Sequence, residues 1–167
     1  MSTATIKELT LQAFQPYGSF ANMLNPQTPF LGEPPIQFFR DMLPLDLGTA
    51  TTASFSVCRV ETRPLVVDVV EYHNTCGEGI LPLDGDVLIH VGPATPPGQI
   101  PLDSIEIFRV PKGTMVTLRA GVWHYAPFAI NADAVNVLIV LPERTYAIDC
   151  VVHPLPENKQ IVIEETK

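Results

Sequence analysis

Between two apolar segments, the chain carries the stretch Glu71-Tyr72-His73-Asn74-Thr75-Cys76-Gly77-Glu78. Glu71 and His73 are two residues apart, so on a β-strand their side chains point to the same face. Glu78 follows a short polar turn and begins the next apolar run, from which it can return to the same place. Because buried carboxylates and imidazoles are costly unless they are paired or bind a metal ion, the stretch predicts a polar site enclosed by strands.

Short apolar runs separated by turn residues surround this stretch on both sides. Residues 53–60 alternate apolar and polar side chains with a period of two, which is typical of a half-buried strand. The 17 prolines and 10 glycines supply frequent turns, and Asp84-Gly85 predicts a hairpin between two strands. The other predicted strands are 65–73, 79–83, 86–91, 105–110, 114–118, 123–129, 134–141, 150–153 and 160–164. We therefore predict an all-β sandwich or barrel.

The N-terminal part of the chain lacks this regular pattern. Its first residues predict a short strand, and Thr10 is expected to cap a single helical turn at 10–14. Residues 22–36 are rich in proline and polar residues and are expected to cross the surface as a loop. With 167 residues, the chain fits one domain, with a barrel core at about 52–142 and an N-terminal arm at 1–50.

Composition and charge argue against several classes of function. Ten basic residues stand against eighteen acidic ones, a net charge of −8, and no basic cluster occurs, so nucleic-acid binding is not expected. No apolar run is long enough to span a bilayer and no secretory segment is recognised, so no membrane partner is expected. The cysteines Cys58, Cys76 and Cys150 are odd in number and form no CxxC pair, which favours reduced thiols in the cytoplasm.

A second polar element, His124, follows a glycine turn at Gly121 and can complete the site. The four candidate metal ligands are Glu71, His73, Glu78 and His124. A set of imidazoles and carboxylates suits Mn, Fe, Ni or Zn, with positions left open for substrate, and no organic cofactor is implied. A metal-free site is the alternative, in which the two histidines act as acid, base or anion donors.

The spacing Glu71-x-His73-x4-Glu78-x6-Gly85 resembles the first motif of the cupins, small barrels in which His-x-His precedes a glutamate and a glycine. Residues 111–113 and 121–124 resemble parts of the second cupin motif. The resemblance covers about 52–142 and implies a jelly-roll barrel, also called a double-stranded β-helix. Glu71 stands where cupins usually have the first histidine, so the ligand set keeps its size with two histidines and two carboxylates.

Three segments resemble a narrower family, the ureidoglycolate lyases, formerly called ureidoglycolate hydrolases. They are residues 9–18, residues 71–83, and residues 122–129 with the sequence Val-Trp-His-Tyr-Ala-Pro-Phe-Ala. The resemblance implies a homodimeric, cupin-like enzyme of purine and allantoin breakdown, which releases urea and glyoxylate from ureidoglycolate. For this chain it implies catalytic roles for His73, His124 and Glu78.

The chemistry of ureidoglycolate suggests how the site residues would act. A base must remove the hydroxyl proton and an acid must protonate the departing urea nitrogen, and His73 or His124 is predicted to be the base. The predicted substrate-binding residues are Arg59, Lys112, Tyr72 and Trp123. The arginine lies on the strand before the motif and can hold a carboxylate bidentately, whereas the lysine is a weaker candidate at a turn.

The sequence departs from the family pattern at three places. Glu78 replaces a usual glutamine and adds a negative charge, which favours a bound cation. Tyr72 replaces a basic residue, and residues 141–144 read Leu-Pro-Glu-Arg where the family has an acidic residue followed by arginine and glycine. Because function depends on the site rather than on the fold, two alternatives stay open. They are another metal-dependent cupin enzyme acting on a small hydroxy- or keto-acid, and a non-catalytic cupin that binds a small anion.

Overall fold

The structure, a computed structural model, describes residues 2–164, so the ends of the predicted domain at residues 1 and 165–167 lie outside the described part. Its strands are β1 (Ser2–Glu8), β2 (Gly18–Asn22), β3 (Leu31–Glu33), β4 (Ile36–Phe38), β5 (Ala53–Glu61), β6 (Val66–Val67), β7 (Val69–Tyr72), β8 (Glu78–Pro82), β9 (Val87–Val91), β10 (Glu106–Val110), β11 (Thr114–Leu118), β12 (Phe128–Ala129), β13 (Ala134–Pro142), β14 (Val151–Pro154) and β15 (Ile161–Glu164). The helical turns are α1 (Leu11–Phe14), α2 (Thr145–Ile148) and the 3-10 turns Leu102–Ser104 and Glu157–Lys159. Within residues 2–164, no helix is long and apolar enough to cross a membrane.

Most of the strands form two main sheets. The first sheet has the strand order β12-β9-β10-β1-β15-β6, and the second has the order β2-β11-β8-β13-β5. Apolar side chains from both sheets meet in one buried cluster, which includes Ile89 and Phe108 from the first sheet and Ile80 and Val137 from the second. Two sheets that bury their apolar faces against each other form the double-sheet jelly roll that cupins have. The predicted all-β, cupin-like barrel is confirmed.

A second apolar cluster covers the outer face of the first sheet. Leu88 and Ile107 point into it, together with Trp123. β9 is therefore buried on both faces, which explains why every residue of its sequence Val-Leu-Ile-His-Val is buried. His90 belongs to this outer face because it lies two residues from Leu88 on the same strand. Its ring packs 6.0 Å from that of Phe128 and does not face the barrel interior.

The N-terminal part of the chain contributes to both sheets. β1 lies between β10 and β15 and runs parallel to both, and β2 pairs with β11 at the edge of the second sheet. Between them, α1 begins as predicted, with the Thr10 hydroxyl oxygen accepting the N–H of Ala13 at 3.2 Å. Phe14 from this turn is fully buried in the first cluster. The residues predicted as an arm thus supply one strand to each sheet, and a small exposed hairpin, β3–β4, lies further along them.

Three local predictions differ from the structure. The predicted strand 65–73 is interrupted at Asp68, because its halves β6 and β7 pair with different strands, β15 and β14. The Asp84-Gly85 turn does not close a hairpin, because β8 and β9 belong to different sheets and the turn carries the chain from one to the other. The predicted strand 123–129 is reduced to β12 and isolated bridges, since Pro127 has no N–H to donate to a ladder.

Candidate active site

Backbone hydrogen bonds hold the two predicted motifs side by side. The N–H of Glu71 donates to the carbonyl of His124 at 2.6 Å, and the N–H of His124 donates back to the Glu71 carbonyl at 2.8 Å. The N–H of Gly121 donates to the carbonyl of His73 at 2.6 Å. Gly121 has a φ of 79°, in the left-handed region that glycine adopts without strain. The site is therefore assembled from the ends of β7 and β8 and the loop that follows β11.

The four predicted ligands meet at one buried point. Both imidazoles direct Nε2 at the same carboxylate oxygen: His73 Nε2 lies 3.0 Å, and His124 Nε2 2.9 Å, from Glu78 Oε2. Glu71 Oε1 lies 4.0 Å from His124 Nε2. The side chains of His73, Glu78 and His124 are almost fully buried, whereas that of Glu71 keeps 13% of its surface exposed. Glu71 is therefore the most accessible member of the cluster.

Backbone carbonyls fix the other nitrogen of each ring. His73 Nδ1 donates to the carbonyl of Asp149 at 2.6 Å, and His124 Nδ1 donates to the carbonyl of Val122 at 2.8 Å. A carbonyl oxygen can only accept, so each Nδ1 carries a proton. In each ring Nε2 is consequently the atom that faces Glu78 and the centre of the site.

The buried charges of Glu78 and His124 support each other. Burial alone would raise the pKa of Glu78 and lower that of His124. Their mutual attraction and hydrogen bond, helped by His73 on one side and Glu71 on the other, together outweigh burial. The pKa of Glu78 falls to about 2 and the pKa of His124 rises to about 9. At neutral pH the site therefore holds a carboxylate beside an imidazolium.

The segment after β13 closes the site from one side. Cys150 donates its S–H to Glu71 Oε2 at 3.3 Å. The Tyr146 ring, which is 60% exposed, lies edge-on to that of His73 with 6.3 Å between centroids. Burial and the negative charge of the site raise the pKa of Cys150 to about 12 and also raise the pKa of Tyr146. Both groups are protonated donors at neutral pH.

Sequence analysis missed three neighbours of the site: Tyr146, Asp149 and Cys150. No motif marks them, and Cys150 comes 79 residues after Glu71. The available signal was the predicted strand at 150–153, which corresponds to β14. Because β14 pairs antiparallel with β7, it returns this distant part of the chain to the ligands.

The predicted substrate-binding residues lie outside the buried cluster. Tyr72 and Trp123 are neighbours in sequence of the ligands, so they face the opposite side, where their rings pack at a 60° tilt with centroids 4.6 Å apart in the second apolar cluster. Arg59 is exposed on the outer face of β5. Lys112 is exposed in the turn that precedes β11, at the opposite end of that strand from Glu78.

The sequence matches the model of the family described as Ureidoglycolate lyase over residues 1–163. The chain belongs to the ureidoglycolate lyase family. Two relatives with the name ureidoglycolate lyase align along nearly the whole chain. The protein of Pseudomonas syringae pv. tomato is 24% identical over 168 residues, which cover 98% of this chain and 96% of the relative. That of Pseudomonas fluorescens is 23% identical over 167 residues, which cover 98% of each. The family predicted from the sequence is confirmed.

Solved structures show a more distant likeness. Bacillus subtilis oxalate decarboxylase, from a study of its Mn(II) centres, gives a TM-score of 0.43 and 17% identity over 64% of this chain and 26% of that chain. The oxalate decarboxylase of Lactobacillus farciminis, in a formate complex, gives a TM-score of 0.43 and 14% identity over 60% and 26%. This chain spans about a quarter of the length of those enzymes.

In this member of the ureidoglycolate lyase family, Glu78 adds a negative charge to the buried cluster, and the structure shows which groups face it. The carboxylate oxygen Oε2 faces the Nε2 atoms of both His73 and His124. The imidazolium of His124 neutralises the carboxylate within the site, so a bound cation is not needed for that purpose.

The donor set of this family member also fits a divalent transition metal ion. The donor atoms of Glu71, His73 and His124 all lie within 4.8 Å of one another. Metal-binding histidines usually donate their second nitrogen to a carbonyl or carboxylate, as both rings do here.

Proposed function

We propose that the protein is a ureidoglycolate lyase, which releases glyoxylate and urea from ureidoglycolate. The observation that carries this proposal is the convergence of two imidazoles and two carboxylates in a chain that matches the family over residues 1–163. The fold alone would not support it, because jelly-roll barrels serve many functions and the chemistry depends on the site.

The reaction needs one proton acceptor and one proton donor. Ureidoglycolate carries a hydroxyl group, a carboxylate and a ureido nitrogen on one carbon atom. The hydroxyl loses its proton, its oxygen becomes the carbonyl oxygen of glyoxylate as the carbon–nitrogen bond breaks, and the urea nitrogen gains a proton. No oxidation or additional reactant is involved. The two proton-transferring groups must therefore lie within reach of one small molecule.

We assign the donor role to His124 and the acceptor role to Glu71. His124 is held in its charged form by Glu78, so at neutral pH it has a proton to give from Nε2. Glu71 is the more exposed carboxylate, and its Oε1 lies 4.0 Å from that nitrogen. His73 and Glu78 complete the catalytic set by holding the donor in place. In this proposal His124 is the acid, whereas the sequence predicted His73 or His124 as the base.

The same cluster would hold a divalent ion of Mn, Fe, Ni or Zn through His73, His124 and Glu71, with Glu78 beside them. Such an ion, when bound, would act as a Lewis acid on a substrate oxygen. The contribution of the chain would then be to keep both Nε2 atoms directed inward, through the carbonyls on Nδ1, and to exclude water with its buried rings.

Incubation with ureidoglycolate tests the proposal. We expect glyoxylate and urea to form in equal amounts, faster than in the spontaneous decay of the substrate. The assay is run on protein of known metal content, with and without added Zn²⁺ or Mn²⁺, and with a chelator. Folded, metal-loaded protein that gives no product above the spontaneous rate would overturn the proposal and leave the two alternatives of another cupin enzyme or an anion-binding cupin.

We also infer a homodimer. The exposed apolar side chains of residues 2–164 include Ile36 and Phe38 on the β3–β4 hairpin, which are 75% and 61% exposed, and Phe55 and Val57 on β5, which are 70% and 62% exposed. Clustered apolar side chains on a surface are typical of contacts between proteins. Size-exclusion chromatography with light scattering is expected to give twice the chain mass of 18.3 kDa, and a value of one chain mass would contradict the inference.

A cytoplasmic location and a small carboxylate substrate, with no nucleic-acid or membrane partner, complete the proposal. All three cysteines are free thiols, which suits a reducing compartment. The net charge of −8 disfavours polyanions such as nucleic acids. Fractionation of cells that produce the native protein tests the location, and recovery outside the cytoplasmic fraction would contradict it.

A further inference from the structure

We propose that Asp149 and Cys150 are positioning residues that orient His73 and Glu71. The catalytic meaning of this inference rests on the proposed function, whereas its geometry rests on hydrogen bonds alone. Neither residue belongs to a motif of the sequence, and both come from the segment between α2 and β14.

The Asp149 carboxylate ties its segment to the loop that follows His73. Its Oδ1 accepts the N–H of Asn74 at 2.8 Å, and its Oδ2 accepts the N–H of Thr75 at 2.8 Å and the hydroxyl of Thr75 at 2.5 Å. Hydrogen bonds to an ionised carboxylate are shorter and stronger than those between neutral groups. These three hydrogen bonds hold Asp149 against the loop that follows His73.

The backbone carbonyl of the same residue controls the His73 ring. It accepts Nδ1–H of His73 at 2.6 Å. Because the carboxylate and the carbonyl belong to one residue, the anchor on the loop also fixes where this carbonyl lies. The ring is thereby kept in the orientation in which Nδ1–H meets this carbonyl and Nε2 is directed at Glu78. Such contacts behind a functional histidine set both its tautomer and its orientation.

The next residue, Cys150, performs the corresponding task for Glu71. Its thiol donates to Oε2 of that carboxylate at 3.3 Å, and the other oxygen, Oε1, is the one that lies 4.0 Å from His124 Nε2. One carboxylate oxygen is thus held by the chain, and the other is left for the site. Two consecutive residues therefore support two different members of the cluster.

The fold holds this dipeptide from both ends. On its C-terminal side, β14 pairs antiparallel with β7 in the register Val151 to Tyr72 and Val152 to Glu71. On its N-terminal side, the Thr145 hydroxyl donates to the carbonyl of Pro142 at 2.7 Å, which pins the start of α2. A functional group is best supported by neighbours that are themselves fixed.

Histidine NMR of the metal-free protein tests the role of Asp149. With ¹⁵N-labelled histidine, the Nδ1–H resonance of His73, identified by its loss in His73→Gln, is expected to exchange slowly with water. Asp149→Ala keeps the carbonyl that accepts Nδ1–H but removes the carboxylate that anchors it to the loop, so the exchange is expected to become about tenfold faster. A wild-type ring without a protected Nδ1–H, or equal exchange in the variant, would overturn the proposal for Asp149.

Asp84→Ala is the matched control. The Asp84 carboxylate likewise accepts two hydrogen bonds from one residue, the backbone N–H of Asn136 at 2.7 Å and the side-chain N–H of the same residue. It lies on the turn between β8 and β9, away from His73. This variant is expected to leave the His73 resonance as in the wild type. If Asp149→Ala does not fold, the same exchange measurement is made on Asp149→Asn, which keeps the size of the side chain.

Infrared spectroscopy of the S–H stretch tests the role of Cys150. The Cys150 band, identified by its loss in Cys150→Ser, is expected at the low frequency of a hydrogen-bonded thiol and is expected to rise in Glu71→Ala. A band that Glu71→Ala leaves unchanged would overturn the proposal for this residue. Cys150→Val, which has no donor, is expected to lower kcat about 10- to 100-fold with little change in KM, and Cys150→Ser is expected to restore most of it.

The spectroscopic and kinetic results separate this inference from the proposed function. Both spectroscopic tests use metal-free protein without substrate, so they decide the positioning role even for a protein that does not cleave ureidoglycolate. If the spectra are as expected but ureidoglycolate is not cleaved, the positioning roles stand and the proposed reaction is wrong. If ureidoglycolate is cleaved but the variants have the same spectra as the wild type, the proposed reaction stands and the positioning roles are wrong.

Discussion

The Glu78 carboxylate and the His124 imidazole form a buried ion pair, with Oε2 2.9 Å from Nε2. Each group keeps the other charged in surroundings that would otherwise favour the neutral forms. Removal of one partner leaves the other as an uncompensated buried charge, which is strongly unfavourable. The pair therefore makes the protonation of His124 dependent on the residue at position 78.

The first prediction concerns Glu78→Gln, which removes the negative charge and keeps the size of the side chain. The loss of the neighbouring negative charge is expected to lower the pKa of His124 from about 9 by at least one unit, as followed by NMR titration of its ring. Glu157→Gln, in an exposed 3-10 turn, is the matched control and is expected to leave the titration unchanged. A His124 pKa that does not move in Glu78→Gln would contradict the ion-pair assignment.

The second prediction concerns the proton donor. His124→Gln keeps a polar side chain but has no proton to transfer, so kcat for ureidoglycolate cleavage is expected to fall by about 100-fold or more. His153→Gln is the control, because His153 packs against the Trp123 ring outside the cluster. Steady-state kinetics on variants with wild-type circular dichroism provide the measurement. Equal losses in the two variants would show that the effect is structural.

The third prediction concerns metal binding and pH. An ion that takes the Nε2 lone pair of His124 must displace the proton that this atom holds below pH 9. The affinity for Zn²⁺ is therefore expected to fall by about tenfold for each pH unit below that value, with release of about one proton. Calorimetry in two buffers of different ionisation enthalpy measures both quantities. An affinity that is independent of pH between 6 and 8 would exclude His124 as a ligand.

The fourth prediction concerns His90 and acid stability. Burial, and to a lesser extent the charges of His124 and Arg63, lower the pKa of His90 to about 3 in the folded protein, whereas an unfolded chain binds this proton near pH 6.5. Between these values the unfolded state holds more protons, so this histidine makes stability fall as the pH falls. The slope is expected to be about 1.4 kcal/mol per pH unit at most.

Urea unfolding of the wild type and of His90→Leu at pH 7, 6 and 5 measures this effect. Titration of the other groups is common to both proteins and cancels in the difference between their free energies of unfolding. The wild type is expected to lose stability relative to the variant as the pH falls. Parallel pH profiles would show that His90 does not contribute.

The core of the site was predictable because it depends on local rules. Alternation along a strand puts Glu71 and His73 on one face whatever the rest of the chain does. The spacing to Glu78 is set by a short turn, and the glycine turn at Gly121 marks the arrival of His124. These four positions needed little knowledge of the fold, and the structure brings them together.

The same alternation explains why the predicted substrate-binding residues Tyr72, Trp123 and Arg59 lie outside the buried cluster. Tyr72 is next to two ligands in sequence and Trp123 is next to one, so both point away from the cluster into the second apolar core. Arg59 lies between Cys58, which packs against the barrel interior, and the buried Val60, so its own side chain faces solvent. The chemistry of these side chains favours contacts with a substrate. The alternation of side chains along the strand, however, decides to which side each one points.

Other neighbours of the site depend on contacts that no local pattern reports. Asp149 and Cys150 reach the ligands because β14 pairs with β7, and a pairing between segments almost eighty residues apart is not encoded by either segment alone. The split of strand 65–73 has the same origin, since β6 and β7 pair with different distant strands. Long-range pairing thus determined most of what the sequence did not predict.

The acceptor for His124 Nδ1 is the backbone carbonyl of Val122, a group that every amino acid possesses. Mutation at position 122 can change the side chain, but it leaves an oxygen at the same point of the main chain. The orientation of this histidine ring is therefore inherited through the path of the backbone and is hidden from any comparison of amino-acid identities. A different side chain at position 122 would leave this acceptor in place, so His124 would still direct Nε2 at Glu78.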